Sequence, residues 1–205
     1  EKMISNKYIY CEHKEIETVI KNNSNLYEVI NPQCEYRKIY MDIDMRKENK
    51  LCSYNDINNL CLDFVEYIKE QYKINEPIKY VIQASTETQF YENYKKNKDT
   101  QQDIKQFNSF HIIYNVYTNN NLQLKQLITQ YKDLKRFSEC EYIDLLVYSN
   151  LRVMRTLLQS KEPNIKKNEK ARTDKLRVLN TKTDFYNNFI TVITKTDIYI
   201  NIEVN

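Results

Sequence analysis

The sequence predicts an α+β domain, and three observations lead there. Apolar residues recur at helical spacing in two long stretches, and in several shorter ones they alternate or run on as strands do. Helical and extended stretches are intermixed without a clean βαβ rhythm. With 205 residues, 41% of them hydrophobic and 12% aromatic, the chain can bury the core of one domain spanning residues 1–205.

Residues 7–11 read as a short strand and 12–22 as a helix. After Pro32, residues 36–45 alternate as a strand. Ser53, three residues before Asp56, has capping-box spacing and opens a helix over 54–72. Its core face is Ile57, Leu60, Cys61, Phe64, Val65 and Ile68. Pro77 starts a strand from Ile78 to Ser85, residues 87–106 form a polar connection, and Asn108 to Tyr117 is the next strand. Leu122 to Phe137 reads as a second amphipathic helix and Tyr142 to Tyr148 as an apolar strand, with 151–158 extended again. The chain closes with a helix or strand at 184–193 and a strand at 196–204, and it has no internal repeat.

Composition removes several functions. The chain has no glycine, where about 7% is usual, so Walker, Rossmann and kinase glycine loops are all excluded. Any nucleotide must be held by side chains. The five cysteines are scattered without a Cys-x-x-Cys pair and there are two histidines, which argues against structural zinc and for free thiols in a reducing compartment. No apolar run approaches the roughly 18 residues of a membrane span, and no secretory signal is visible. Because the first residue is Glu, the chain reads as an excerpt from a longer polypeptide. The richness in Asn, Lys, Ile and Tyr fits an AT-rich genome.

The strand at 36–45 carries the most informative pattern. Ile39, Met41, Ile43 and Met45 share one face, and Tyr40, Asp42 and Asp44 share the other. Two carboxylates about 7 Å apart on one strand repel unless a positive charge sits between them, and hard oxygen ligands suit Mg²⁺ or Mn²⁺. A solvated Asp-x-Asp pair is the bland alternative, although Asp is a poor strand former. On the strand 108–117, Ser109 and His111 point to one side, as anion contacts or as a core histidine with its neighbour. Further on, Asp144 precedes Arg152, Arg155 and Lys161, and a forked donor with a point charge can grip a triphosphate without a glycine loop. From Leu151 to Asn180 there are nine Lys or Arg against three acids, in a chain whose whole net charge is only +3. Lys166, Lys167, Lys170 and Arg172 in this stretch are either a solvated loop or contacts to a nucleic-acid backbone.

Asp42-x-Asp44, Ser109-x-His111 and Asp144 with Val147-Tyr148, Arg152, Arg155 and Lys161 resemble, in order and spacing, the three motifs of the archaeo-eukaryotic primase superfamily. The stretches IYMDIDM, SFHIIYNVYT and IDLLVYSNLRVMRTL look closest to the amino-terminal primase domain of poxvirus-type primase-helicases, and the resemblance covers roughly residues 36–195. It implies a helix-flanked sheet and an RRM-like sheet forming a catalytic cleft. It implies two Mg²⁺ or Mn²⁺ ions held by Asp42, Asp44 and Asp144. Nucleotide phosphates would meet Ser109, His111, Arg155 and Lys161, with Arg152 supporting them or touching the template. The implied partners are single-stranded DNA, NTPs or dNTPs and a helicase domain in the same polypeptide, at an intracellular site such as host cytoplasm or a viral factory. The chain departs from some relatives in carrying Phe107 where they have Lys, and in lacking a Cys/His cluster for a zinc module. Two rival functions are an inactive nucleic-acid-binding domain and a glycosyltransferase that uses Asp42-x-Asp44 for Mn²⁺ and a nucleotide sugar.

Overall fold

The computed structural model describes residues 11–30, 36–48, 50–86, 106–149, 152–159, 175–180 and 185–202. Its centre is a five-stranded sheet built from β2 (Arg37–Asp44), β4 (Tyr80–Thr86), β6 (Ser109–Thr118), β8 (Lys175–Val178) and β9 (Ile198–Tyr199). The order is β2-β6-β4-β8 with antiparallel neighbours, and β9 adds to β6 in parallel. Helix α1 (Ile16–Asn22) comes first, helix α2 (Tyr54–Tyr72) joins β2 to β4, and helix α3 (Asn121–Asp133) follows β6. Beyond α3 the chain returns to the free edge of β2 through one antiparallel bridge, Ile43 to Ile143. The path is thus βαββαβ with the last strand reduced to a single bridge, and the class is mixed α+β. Two short pairs complete the described residues: β1 (Tyr27–Ile30) with β7 (Arg152–Arg155), and β3 (Cys52–Ser53) with β5 (Gln106–Phe107).

Strand alternation separates the two faces of the sheet. Met41 and Ile43 of β2 pair with Ile112 and Phe110 of β6, which pair in turn with Ile82 and Ala84 of β4, and all six are buried. This apolar face packs against the core side of α2, where the six residues expected from the sequence are buried, and against Leu124, Leu127, Ile128 and Tyr131 of α3. Phe64 lies edge-on to Tyr114 and Tyr131, at 5.1 and 4.7 Å between ring centres, which suits the aromatic quadrupole. The opposite face carries Asp42, His111 and Gln83 side by side.

Ser53 and Asp56 form the expected reciprocal cap of α2, each side chain accepting from the other's backbone N–H. The helix stops at Lys73, whose left-handed backbone (φ 56°) would ordinarily be a glycine's. Asn25, Lys135 and Leu158 are also left-handed, so a chain without glycine holds side chains where their Cβ atoms crowd the backbone. Lys73→Gly is therefore expected to stabilise the fold by about 0.5–1 kcal/mol, read as a shift in the urea midpoint with unchanged slope.

Four expectations need correction. The second amphipathic helix ends at Asp133 and not at Phe137, because Lys135 turns left-handed (φ 51°). Residues 142–148 are not a strand: 3-10 turns at Ser138–Tyr142 and Leu145–Tyr148 flank the single bridge at Ile143. The Asp144 carboxylate accepts from the Leu146 N–H at 2.8 Å and folds the chain over, a local competition an apolar run cannot reveal. At 184–193 the structure has a 3-10 turn, Phe185–Asn188, and the closing strand shrinks to β9. The strand expected over 7–11 (Cys11 excepted), the connection 87–106 up to residue 105, and the basic residues 160–174 lie outside the described residues.

Candidate active site

Strand register brings two of the sequence motifs together. Asp42 stands opposite His111 and Asp44 opposite Ser109, a pairing imposed by burial of the intervening Met41, Ile43, Phe110 and Ile112. The third motif joins through the backbone, as the Asp144 N–H donates to the Asp42 carbonyl at 2.8 Å. Two buried tyrosines fasten this junction. The Tyr40 hydroxyl donates to the Val147 carbonyl at 2.9 Å, and the Tyr148 hydroxyl donates to the Tyr40 carbonyl at 2.6 Å. Asp42, Asp44 and Asp144, separated by up to 102 positions in the sequence, thereby meet at one edge of the sheet.

Arg155 arrives from β7, held in register by Tyr27 of β1, and its Nη1 donates to Ser85 Oγ of β4 at 2.9 Å. Its charge reaches both Asp42 and His111. The strand order puts Gln83 next to His111, and Gln83 Nε2 is anchored on Asn188 at 3.1 Å. Arg152 lies in β7 opposite Ile30; its side chain is outside the described residues, as are Lys161, Lys166, Lys167, Lys170 and Arg172 altogether.

The electrostatics of this corner are unusual. Burial, then the neighbouring Asp44 and Asp144, push the Asp42 carboxyl up to about 7, against the opposing pull of Arg46 and Arg155. Burial and the same two arginines push His111 down to about 3. The imidazole is therefore neutral at pH 7, and its 3.8 Å approach from Nε2 to Asp42 Oδ1 is no ion pair there. Oδ1 of Asp42 is buried and has no hydrogen-bond partner among the described residues. A buried carboxylate oxygen of this kind beside other carboxylates could accept a hard divalent cation such as Mg²⁺ or Mn²⁺. Asp44, by contrast, is engaged: Arg46 donates to it from Nε at 2.8 Å, from Nη2 at 2.6 Å and from its backbone N–H at 3.0 Å. Among the described residues, no three His, Cys, Asp or Glu side chains are drawn into a ready ligating group.

Sequence reasoning singled out the carboxylates, Ser109, His111 and Arg155, and missed Arg46, Ser85 and Gln83. Arg46 was in plain sight two residues after Asp44, whereas Ser85 and Gln83 enter only through the register of β4 on β6. Cys52, Cys61 and Cys140 are buried free thiols and Cys11 an exposed one. Among the described residues no helix is long and apolar enough to cross a membrane. Compared with models of known families and with curated proteins, the chain matches none.

Proposed function

We propose that this chain is the catalytic domain of a template-directed nucleotidyltransferase, a primase or primase-polymerase of the archaeo-eukaryotic superfamily. One observation carries the reading. Three motifs far apart in sequence converge on one sheet edge, with Asp42 opposite His111, Asp44 opposite Ser109, and Asp144 bonded to the Asp42 backbone. The βαββαβ path supports the RRM-like half of that fold.

Asp42, Asp44 and Asp144 would hold two divalent ions, which supply Lewis-acid activation of a 3′-hydroxyl and charge neutralisation at the triphosphate. The residues of the chain do the remaining work. His111, neutral at pH 7, can donate one ring N–H to a phosphate oxygen without drawing a proton from it. Ser109, at the mouth of β6 beside Asp44, offers a hydroxyl to the same phosphates. Arg155 brings a forked cation to the site, and Ser85 fixes its reach. Lys161 and Arg152 would extend this grip, and Lys166, Lys167, Lys170 and Arg172 would follow the template backbone. A helicase domain in the same polypeptide and an intracellular viral setting belong to the same proposal.

The test is synthesis: the domain, single-stranded DNA, labelled ATP and dNTPs, and Mg²⁺ or Mn²⁺. Unprimed labelled products support the reading, whereas hydrolysis of UDP-sugars without them favours a glycosyltransferase. Arg155→Ala is expected to raise the apparent KM for nucleotides about tenfold or more, since a charge-assisted pair contributes roughly 1.5–3 kcal/mol. An unchanged KM would remove Arg155 from the triphosphate site. The Arg46 fork on Asp44 favours one second reading, an inactive nucleic-acid-binding domain; DNA binding with no synthesis under any metal condition would establish it.

A further inference from the structure

Arg46 belongs to none of the motifs, yet it donates three hydrogen bonds to one carboxylate of the site. Strand β2 ends at Asp44, and the 3-10 turn Arg46–Glu48 folds the chain back so that the Arg46 backbone N–H and guanidinium meet the same carboxylate. Nε and Nη2 take one oxygen each, the parallel fork that matches guanidinium to carboxylate. This is no distant surface pair, because the Arg46 charge also acts on Asp42 and His111. Its side chain is 35% exposed against 22% for Asp44, so it has a solvent side toward which it can withdraw.

We propose that Arg46 is an intramolecular stand-in for the divalent cation: its guanidinium covers Asp44 and is displaced when the ion binds. The inference rests on the metal-dependent reading of the site and deepens it, by giving that site a built-in competitor. A divalent ion between Asp42 and Asp44 needs the oxygens that Nε and Nη2 now occupy. Like charges also repel at this range, so ion and guanidinium exclude each other. Metal affinity is then set partly by how readily Arg46 leaves. A guanidinium with a purely structural role would make removal neutral or harmful to ion binding.

The experiment is titration of Mn²⁺ against the full chain by electron paramagnetic resonance at pH 8, on wild type, Arg46→Gln and Arg46→Lys, with circular dichroism to confirm folding. Arg46→Gln is expected to bind Mn²⁺ about tenfold more tightly than wild type, as removing a charge-assisted competitor would produce. Arg46→Lys should fall between, since an ammonium keeps the charge and loses the fork. If Arg46→Gln fails to fold, Arg46→Lys carries the comparison alone. Equal or weaker Mn²⁺ binding in the folded variants overturns the displacement while leaving the metal site standing. No Mn²⁺ binding by wild type or either variant overturns the metal reading itself, and this inference with it.

Discussion

Asp42→Ala combined with Asp44→Ala is expected to abolish nucleotide incorporation, by on the order of 10³-fold or more, while single-stranded DNA binding changes less than about threefold. The size follows from the several kilocalories per mole of transition-state charge stabilisation that ligated metal supplies, at about 1.4 kcal/mol per tenfold in rate. DNA binding persists because the basic residues expected to follow the backbone lie elsewhere in the chain. Removal of Asp42, a buried carboxyl with an orphan oxygen, relieves the fold, whereas removal of Asp44 takes away the three hydrogen bonds from Arg46, so circular dichroism on the same preparations must show the double variant folded. Incorporation of labelled dNTPs and fluorescence anisotropy on the same preparations make the check, and retained synthesis would refute the assignment of Asp42 and Asp44 as metal ligands.

Asp42→Asn is expected to stabilise the metal-free protein by on the order of 3 kcal/mol at pH 8, and by little at pH 4. The carboxyl ordinarily loses its proton near 3.8 and in the fold near 7, so between those values the native state binds a proton that the unfolded chain does not. Wild-type stability therefore falls as pH rises from about 4 to 7 and levels off above. The side chain is only 16% exposed, so solvent screens little of this cost. Asparagine keeps the shape without the charge, and the gap between variant and wild type opens across the same window. Urea titrations at pH 4, 6 and 8 measure it. A gap independent of pH would mean that Asp42 is not held against its charge. Adding Mn²⁺ at pH 8 should narrow the gap, because ligand binding stabilises the native wild type through the carboxylate.

Both outcomes together would describe a site whose stability cost is bound to its chemistry, as expected of functional positions. Much of it was legible in the sequence because its signals were periodic. The alternation of residues 38–45 and 108–117 put Asp42 with Asp44, and Ser109 with His111, on single faces before any pairing was known. The helix at 54–72 was equally plain, as its cap and its buried stripe agree. The failures were local. Lys135 stops the second amphipathic helix with a left-handed backbone, and without glycine nothing in the composition marks that stop, whereas the stop at Lys73 falls where the sequence puts it. Asp144 opens a 3-10 turn through its own carboxylate, so an apolar run that resembled a strand became a bend with one bridge. Strand β1 was missed because four residues carry too little period to register. Ser85 and Gln83 escaped for another reason: their roles arise from contacts between elements, which spacing along one element cannot display, whereas Arg46 meets Asp44 two residues before it and was legible.

The claim on which the account turns is that Asp42, Asp44 and Asp144 hold divalent cations. Anomalous diffraction from crystals grown with Mn²⁺ and a non-hydrolysable nucleoside triphosphate tests it most directly. The account predicts manganese peaks within about 2.0–2.3 Å of carboxylate oxygens from all three residues, with the nucleotide phosphates facing His111 and Arg155. Nucleotide bound elsewhere, or no manganese at the three carboxylates, would contradict it.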